Sequence, residues 1–260
     1  MIDNWLNYKV EAPKPTFTVV MVSEKQIVDE ALKTALQKEI LDDYKSLGFL
    51  KNQFKSEPKD KLVDYLEQYV LPSNSEADPL SKNVWQGDFG EILASLIVSY
   101  FQGLTVPIKK MRWKFNKDRS VFCTDMIAHN SDEKITDLYY YEIKTREILK
   151  KKESIKGVKG SSSYVTIHAQ NSLLKDQNSS PEGIANFLAS YYYDCSENST
   201  EATDIDTFLK KSAMYGDIVK NSGSYSRHYE LFFIGEKGTY INNILDDLNS
   251  LPPQLSPLNV

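Results

Sequence analysis

One segment of the chain is apolar around nearly its whole helical circumference, and this constrains the fold more than any other feature. The run WQGDFGEILASLIVSYF predicts a helix over about 84–101, with large side chains on one face and small ones, including Gly87 and Gly90, on another. A helix that is apolar on both faces is buried on both faces. Glycine inside a helix costs about 1 kcal/mol relative to alanine, so the glycines predict a close approach of another part of the chain.

Glu91 is a charged residue in an unfavourable place within this helix. It lies beside the small-residue face and is the only ionisable residue of the helix after Asp88. A carboxylate held there needs a positive partner or a metal ion, because burial of an unpaired charge is strongly unfavourable. Glu91 is therefore the first candidate for a functional residue.

Three strand-like segments follow the helix, at 106–115, 121–129 and 138–144. The polar turn NKDRS joins the first two, and NSDEKIT, which suits a hairpin, joins the second and third. A late strand is expected at 229–234. The pattern favours an α/β fold with a mixed sheet of four or five strands flanked by helices.

Two acids and a lysine fall on neighbouring strands of this predicted sheet. Asp125 lies on one strand, while Glu142 and Lys144 share a face of the next because side chains alternate. Mg²⁺ binds carboxylate and carbonyl oxygens in an octahedral shell that also admits water and substrate. We therefore expect Asp125 and Glu142 to hold the metal, together with Glu91 and the carbonyl oxygen of Ile143, and Lys144 to orient the attacking water. An E-x-K tripeptide is also a common cross-strand ion pair, and that alternative stays open.

Positive charge is concentrated around these residues although the chain is acidic overall. The formal net charge is −5, but residues 109–159 contain 14 Lys and Arg against 8 Asp and Glu. Such a zone suits a phosphate backbone, whereas the alternative is an edge strand and solvated loops with their charges outward. Gln170, on a later helix, is better explained as a satisfied surface residue, and a polar residue near the site is the alternative. The candidate nucleic-acid contacts are Arg112, Lys114, Arg119, Arg146, Lys150, Lys151, Lys152 and Gln170.

The chain divides near a turn-rich segment at 71–81. We expect residues 1–80 to form a small N-terminal α/β docking module, with an irregular arm over 1–16, a strand over 16–22 and a helix capped by Ser23. Residues 81–260 then form the core with a helical C-terminal part. Two Cys and three His provide neither a disulfide framework nor a zinc site. Since no signal peptide or membrane span is evident, a cytoplasmic location is expected.

The order of helix glutamate, strand aspartate, hairpin and E-x-K resembles the PD-(D/E)XK nuclease superfamily. Glu91, Asp125, Glu142 and Lys144 stand at the matching positions, and Thr124 replaces the proline that names the motif. Within that superfamily, GDFGEILASLIV, the basic run and YEIKTRE resemble the HamA proteins, the nuclease subunits of Hachiman anti-phage defence systems. This resemblance covers roughly residues 86–146.

The resemblance implies a PD-(D/E)XK-like fold and a Mg²⁺-dependent DNA endonuclease in which Mn²⁺ substitutes for Mg²⁺. It also implies a HamB-like helicase partner that holds the nuclease inactive until aberrant or phage DNA is sensed. Two alternatives stay open. One is a stand-alone restriction-type or repair-type nuclease, and the other is a catalytically inactive member that binds nucleic acid or a partner.

Overall fold

The protein has a mixed α/β structure, as expected from the sequence. A computed structural model describes residues 2–11, 17–119, 124–154, 162–179, 182–241, 243–245, 248 and 258–259. Residues 121–123, which begin the strand expected over 121–129 and include Cys123, lie outside the described residues.

Eight α-helices occur in the described part of the chain, and two of them, α4 and α5, continue as π-helical turns at Leu66–Val70 and Val98–Gln102. None of the helices that the structure describes is both long enough and apolar enough to cross a bilayer. The helices are α1 Ile2–Trp5, α2 Glu30–Tyr44, α3 Leu47–Gln53, α4 Lys59–Tyr65, α5 Pro79–Ile97, α6 Val165–Ser179, α7 Gly183–Glu197 and α8 Ala202–Lys220.

In the part of the chain that the structure describes, the strands form one five-stranded sheet and two small two-stranded pairs. In the large sheet the order is β2-β9-β8-β5-β4, with β4 antiparallel to β5 and the other neighbours parallel. The two-stranded pairs join β1 with β3 and β6 with β7. The strands are β1 Leu6–Val10, β2 Phe17–Thr18, β3 Val20–Glu24, β4 Met126–His129, β5 Asp137–Thr145, β6 Glu153–Ser154, β7 Ser162–Ser163, β8 Ser226–Ile234 and β9 Leu258–Asn259.

Helices cover both faces of β5. Tyr141 and Ile143 pack on one face with Ala94 of α5 and with Val98 of the π-helical turn that continues it. Leu138 and Tyr140 belong to the larger cluster on the other face, which includes Ala169 and Leu173 of α6. Because side chains alternate along a strand, Glu142 and Lys144 share the face of Leu138 and Tyr140.

The buried helix and the close approach at one of its glycines are confirmed. A Cβ atom added at Gly90 would lie 1.9 Å from the hydroxyl oxygen of Thr145 on β5, so α5 can pack against the sheet here only without a side chain. Gly87, by contrast, has no neighbouring atom within 4 Å of such a Cβ. Of these two glycines, Gly90 is therefore the one that packing requires to lack a side chain.

The prediction of a strand over 106–115 is wrong. A 3₁₀-helical turn, Lys110–Trp113, occupies the middle of this segment, and upstream of it Thr105 makes an isolated antiparallel bridge to His129. Pro107 lacks the amide that a sheet ladder needs. The basic side chains of the turn bind carboxylates of α2 and α5, so the segment follows those helices instead of the sheet.

The N-terminal eighty residues are more ordered than the sequence predicts. The expected irregular arm contains α1 and β1, and Ser23 lies in β3 instead of capping a helix. Asp29 caps α2, accepting a hydrogen bond of 2.7 Å from the amide of Leu32. The two-residue strand β2 belongs to the five-stranded sheet. A division of the chain into domains at residue 80 stays a prediction.

Candidate active site

The pairing of β4 with β5 brings Asp125 beside the E-x-K segment. Met126 is opposite Tyr141 in this antiparallel pair, and Asp125 is the next residue outward. The amide of Ile143 donates a hydrogen bond of 2.8 Å to Oδ2 of Asp125. The aspartate is thus fixed by the backbone of the residue between Glu142 and Lys144.

Lys144 connects the two carboxylates of the sheet. Its ammonium donates a hydrogen bond to Oε1 of Glu142 and lies 3.5 Å from Oδ2 of Asp125. The Glu142 side chain is 1% exposed, whereas that of Lys144 is 22% exposed. The ion pair that the sequence left open as an alternative is therefore present, and it includes Asp125 as well as Glu142.

A second lysine, Lys110, connects Asp125 to the buried helix. Its ammonium lies 3.0 Å from Oε2 of Glu91 and 3.8 Å from Oδ1 of Asp125. It also donates to the carbonyl oxygens of Thr124 and Asp125, at 3.2 and 3.4 Å. Lys110 was not identified from the sequence as a site residue. On the expected strand, alternation would place Lys110 on the same face as Arg112 and Lys114, so it was not distinguished from the other charges of the basic run.

Asp125 therefore lies between two lysine–carboxylate pairs. Its Oδ1 faces Lys110, and its Oδ2 faces the amide of Ile143 and the ammonium of Lys144. Asp125, Glu142 and Lys144 are brought together, while Glu91 reaches Asp125 through Lys110. Within the ranges that the structure describes, no three His, Cys, Asp or Glu side chains are grouped as a ready-made metal cage.

The pKa values of the two buried glutamates are raised. Burial is the main cause for Glu91, and the Asp125 charge adds to it while Lys110 opposes it, giving a pKa of about 8. Burial and then Asp125 raise the pKa of Glu142 to about 7, opposed by Lys144. For Lys144, burial lowers the pKa, but Asp125 and Glu142 more than offset this and the net pKa is raised. The charged form of each glutamate is thus less favourable, relative to its protonated form, than it is in an exposed glutamate.

The donor set fits a hard divalent cation. Oε2 of Glu91 and Oε2 of Glu142 are buried and have no hydrogen-bond partner of normal geometry among the described residues. Lys110 forms an ion pair with Glu91, and a side-chain interaction with Ser172 of α6 lowers the pKa of Glu142 slightly against the effect of burial. Carboxylate oxygens with unused acceptor capacity, beside the carbonyl oxygen of Ile143, are the ligands that Mg²⁺ prefers. Asp125 and Glu142 would hold the ion, and Glu91 could join them once Lys110 is no longer its partner.

Two of the candidate nucleic-acid contacts are engaged inside the protein. Arg112 donates to the carbonyl oxygen of Asp42 from Nε and Nη2, at 2.9 and 2.7 Å, and to Oδ2 of Asp42 at 2.8 Å. The Lys114 side chain is 4% exposed and pairs with Asp88, which also accepts a hydrogen bond of 2.7 Å from Tyr44. Neither residue lies on a strand, because the 3₁₀ turn replaces the strand expected over 106–115.

The other candidates lie in different surroundings. Arg119 is exposed, and so are three consecutive lysines after β5. Arg146 pairs with Glu153 at 2.5 Å. Gln170 is 6% exposed on α6, so its interpretation as a surface residue is wrong. Contacts of all these residues with nucleic acid stay predictions. The three exposed lysines after β5 are Lys150, Lys151 and Lys152.

A family model named HamA matches residues 2–256, which is nearly the whole chain. The chain belongs to the HamA family. No curated protein matches it. The match extends the similarity well beyond residues 86–146 and includes the N-terminal helices and the C-terminal helices α7 and α8.

Proposed function

We propose that this HamA-family protein is a Mg²⁺-dependent DNA endonuclease of a Hachiman anti-phage defence system, with a PD-(D/E)XK-like core and a HamB-like helicase partner that restrains it. The observation that carries the proposal is the meeting of Asp125, which directly precedes β4, with Glu142 and Lys144 of β5. Family membership supports the defence role and the partner. The exposed lysines after β5 support an anionic substrate.

The residues of this site suit phosphodiester hydrolysis. Mg²⁺, or Mn²⁺ in its place, supplies charge neutralisation at the scissile phosphate and Lewis acidity. Asp125 and Glu142 offer the carboxylate oxygens for the ion, and the Ile143 amide keeps Asp125 in position. Lys144, the more exposed member of the E-x-K pair, places its ammonium where it can orient a water molecule or neutralise a phosphate oxygen.

Plasmid cleavage by the purified protein tests the proposal. We expect supercoiled plasmid to be cut with Mg²⁺ and left intact with EDTA. Glu142→Ala and Lys144→Ala should each lower the rate by about a hundredfold or more, since each removes a group that acts on developing charge. Asp137→Asn is the matched control, because Asp137 lies at the other end of β5 and pairs with His228. Wild-type rates in both site variants would exclude these residues as the catalytic set.

The partner is tested in the same assay. Addition of a HamB-like helicase should suppress cleavage of intact plasmid, and aberrant or phage DNA should restore it. Cleavage that the helicase leaves unchanged would favour the stand-alone nuclease. Binding of DNA without cleavage under any metal condition would favour the inactive member.

A further inference from the structure

Lys110 has the surroundings of a bound cation. Its ammonium lies within 4 Å of four oxygens, which belong to the carboxylates of Glu91 and Asp125 and to the carbonyls of Thr124 and Asp125. The Lys110 residue is 8% exposed, so water contributes little to its solvation. Carboxylate and main-chain carbonyl oxygens are also the ligands that proteins offer to hard metal ions.

We propose that Lys110 is an internal counter-cation that takes the place of a metal ion between Glu91 and Asp125, and that a divalent ion has to displace it before Glu91 can become a ligand. This inference rests on the proposed function, because it concerns the metal site of that reaction. It gives the two lysines of the site different roles. Lys144 acts on the substrate side, and Lys110 is a positioning residue that controls access of the metal to Glu91.

Charge is the physical reason for the displacement. Among the described residues, Lys110 is the ion-pair partner of Glu91. A divalent ion bound by both Glu91 and Asp125 would face the Lys110 ammonium at short range in a poorly hydrated site, where like charges repel strongly. The ammonium and the metal ion therefore compete for the same carboxylate oxygens.

The segment that carries Lys110 is anchored outside the site. Lys109 pairs with Asp42 at 2.6 Å and with Asp43 at 3.0 Å, and Arg112 binds Asp42 from the other side of Lys110. These contacts hold the backbone of the 3₁₀ turn on helix α2. The backbone at Lys110 is therefore fixed near Glu91. Its side chain is the part that can move away from the carboxylates.

Binding of Mn²⁺, measured by isothermal titration calorimetry, tests the competition without relying on activity. We expect Lys110→Met to bind Mn²⁺ about tenfold more tightly than the wild-type protein, as removal of a competing charge predicts. Lys110→Arg keeps the charge and should bind like wild type or more weakly. Lys109→Met is the matched control, because it removes the neighbouring charge at the start of the turn while Arg112 keeps the turn bound to Asp42. It should leave Mn²⁺ affinity within about twofold of wild type.

The outcomes separate this inference from the proposed function. Wild-type protein that binds Mn²⁺ through Asp125, with Lys110→Met binding equally or less tightly, would overturn the counter-cation and leave the nuclease proposal standing. An equal gain in Lys109→Met and Lys110→Met would also overturn it, since that result indicates a general charge effect. Absence of Mn²⁺ binding in every variant, including Lys110→Met, would contradict the metal site itself.

A measurement on the wild-type protein covers the case in which Lys110→Met does not fold. Lysine amines are methylated reductively with and without Mg²⁺, and the modified peptides are quantified by mass spectrometry. We expect Lys110 to be protected without Mg²⁺ and to become several-fold more reactive with it, while Lys114, buried against Asp88, stays protected in both. Equal protection of Lys110 in both conditions would refute its displacement.

Discussion

The amide of Ile143 donates a hydrogen bond of 2.8 Å to Oδ2 of Asp125. Through this bond the backbone between Glu142 and Lys144 orients the aspartate, and the E-x-K segment acts as a scaffold as well as a source of side chains. The same aspartate presents its other oxygen to Lys110. The geometry of the site thus depends on Asp125 more than on any other residue.

Asp125→Asn separates the charge of Asp125 from its orienting hydrogen bond. The asparagine carbonyl can still accept from Ile143, so we expect the free energy of unfolding in urea to stay within about 1–2 kcal/mol of wild type. Mn²⁺ binding by calorimetry should be lost, because the variant lacks the negative charge of a proposed metal ligand. Asp125→Ala, which also removes the acceptor, should be less stable than Asp125→Asn. Retention of wild-type Mn²⁺ affinity in Asp125→Asn would contradict its role as a ligand.

Gly90→Ala and Gly87→Ala should have opposite effects on stability. The Cβ at position 90 would meet the Thr145 hydroxyl at 1.9 Å, so we expect a loss of about 1–3 kcal/mol from overpacking. At position 87 nothing lies within 4 Å, and alanine should stabilise the helix by up to about 1 kcal/mol. Urea denaturation of both variants gives the comparison. A Gly90→Ala protein as stable as wild type would show that α5 is not packed as tightly on β5 as described.

Arg112→Ala should affect stability, whereas Arg119→Ala should not. Arg112 donates three hydrogen bonds to Asp42 and is one-third exposed, so we expect a loss of about 1–2 kcal/mol. Arg119 is exposed, and its substitution should change the free energy of unfolding by less than about 0.5 kcal/mol. DNA affinity, measured over a range of salt concentrations, decides their second role. A shallower salt dependence in Arg112→Ala with unchanged stability would assign Arg112 to the DNA contact and not to α2.

His129 should stay neutral at a pH where an exposed histidine is half protonated. It is 1% exposed, with Nε2 3.0 Å from the hydroxyl of Tyr215, and burial lowers its pKa below the ordinary value of 6.5. The unfolded chain then binds more protons than the folded protein, so the stabilising contribution of neutral His129 is complete above about pH 6.5 and declines as the pH falls. An NMR titration of its ring protons should give a midpoint below 6.5. A midpoint at or above 6.5 would contradict the burial.

Local patterns in the sequence were sufficient for the elements that carry the site. The apolar helix, the strand with E-x-K and the alternation of Glu142 with Ile143 follow from periodicity, which depends on near neighbours along the chain. The requirement for a small residue at Gly90 was also readable, because glycine in a helix has a cost that packing has to offset. Strand β1 was missed because its partner β3 lies ten residues further on, and pairing is a non-local property.

The sequence by itself determined that two carboxylates and a lysine share one sheet and that a buried glutamate precedes them. Only the tertiary structure decided which positive charge meets which carboxylate. The basic run 109–114 looked like one exposed strand, yet helices α2 and α5 bring acids to it, so Lys110 and Lys114 are buried and Arg112 binds Asp42. The physical reason is that these ion pairs form between residues distant in sequence. The sequence pattern around a lysine or arginine does not indicate which helix face will supply its carboxylate partner.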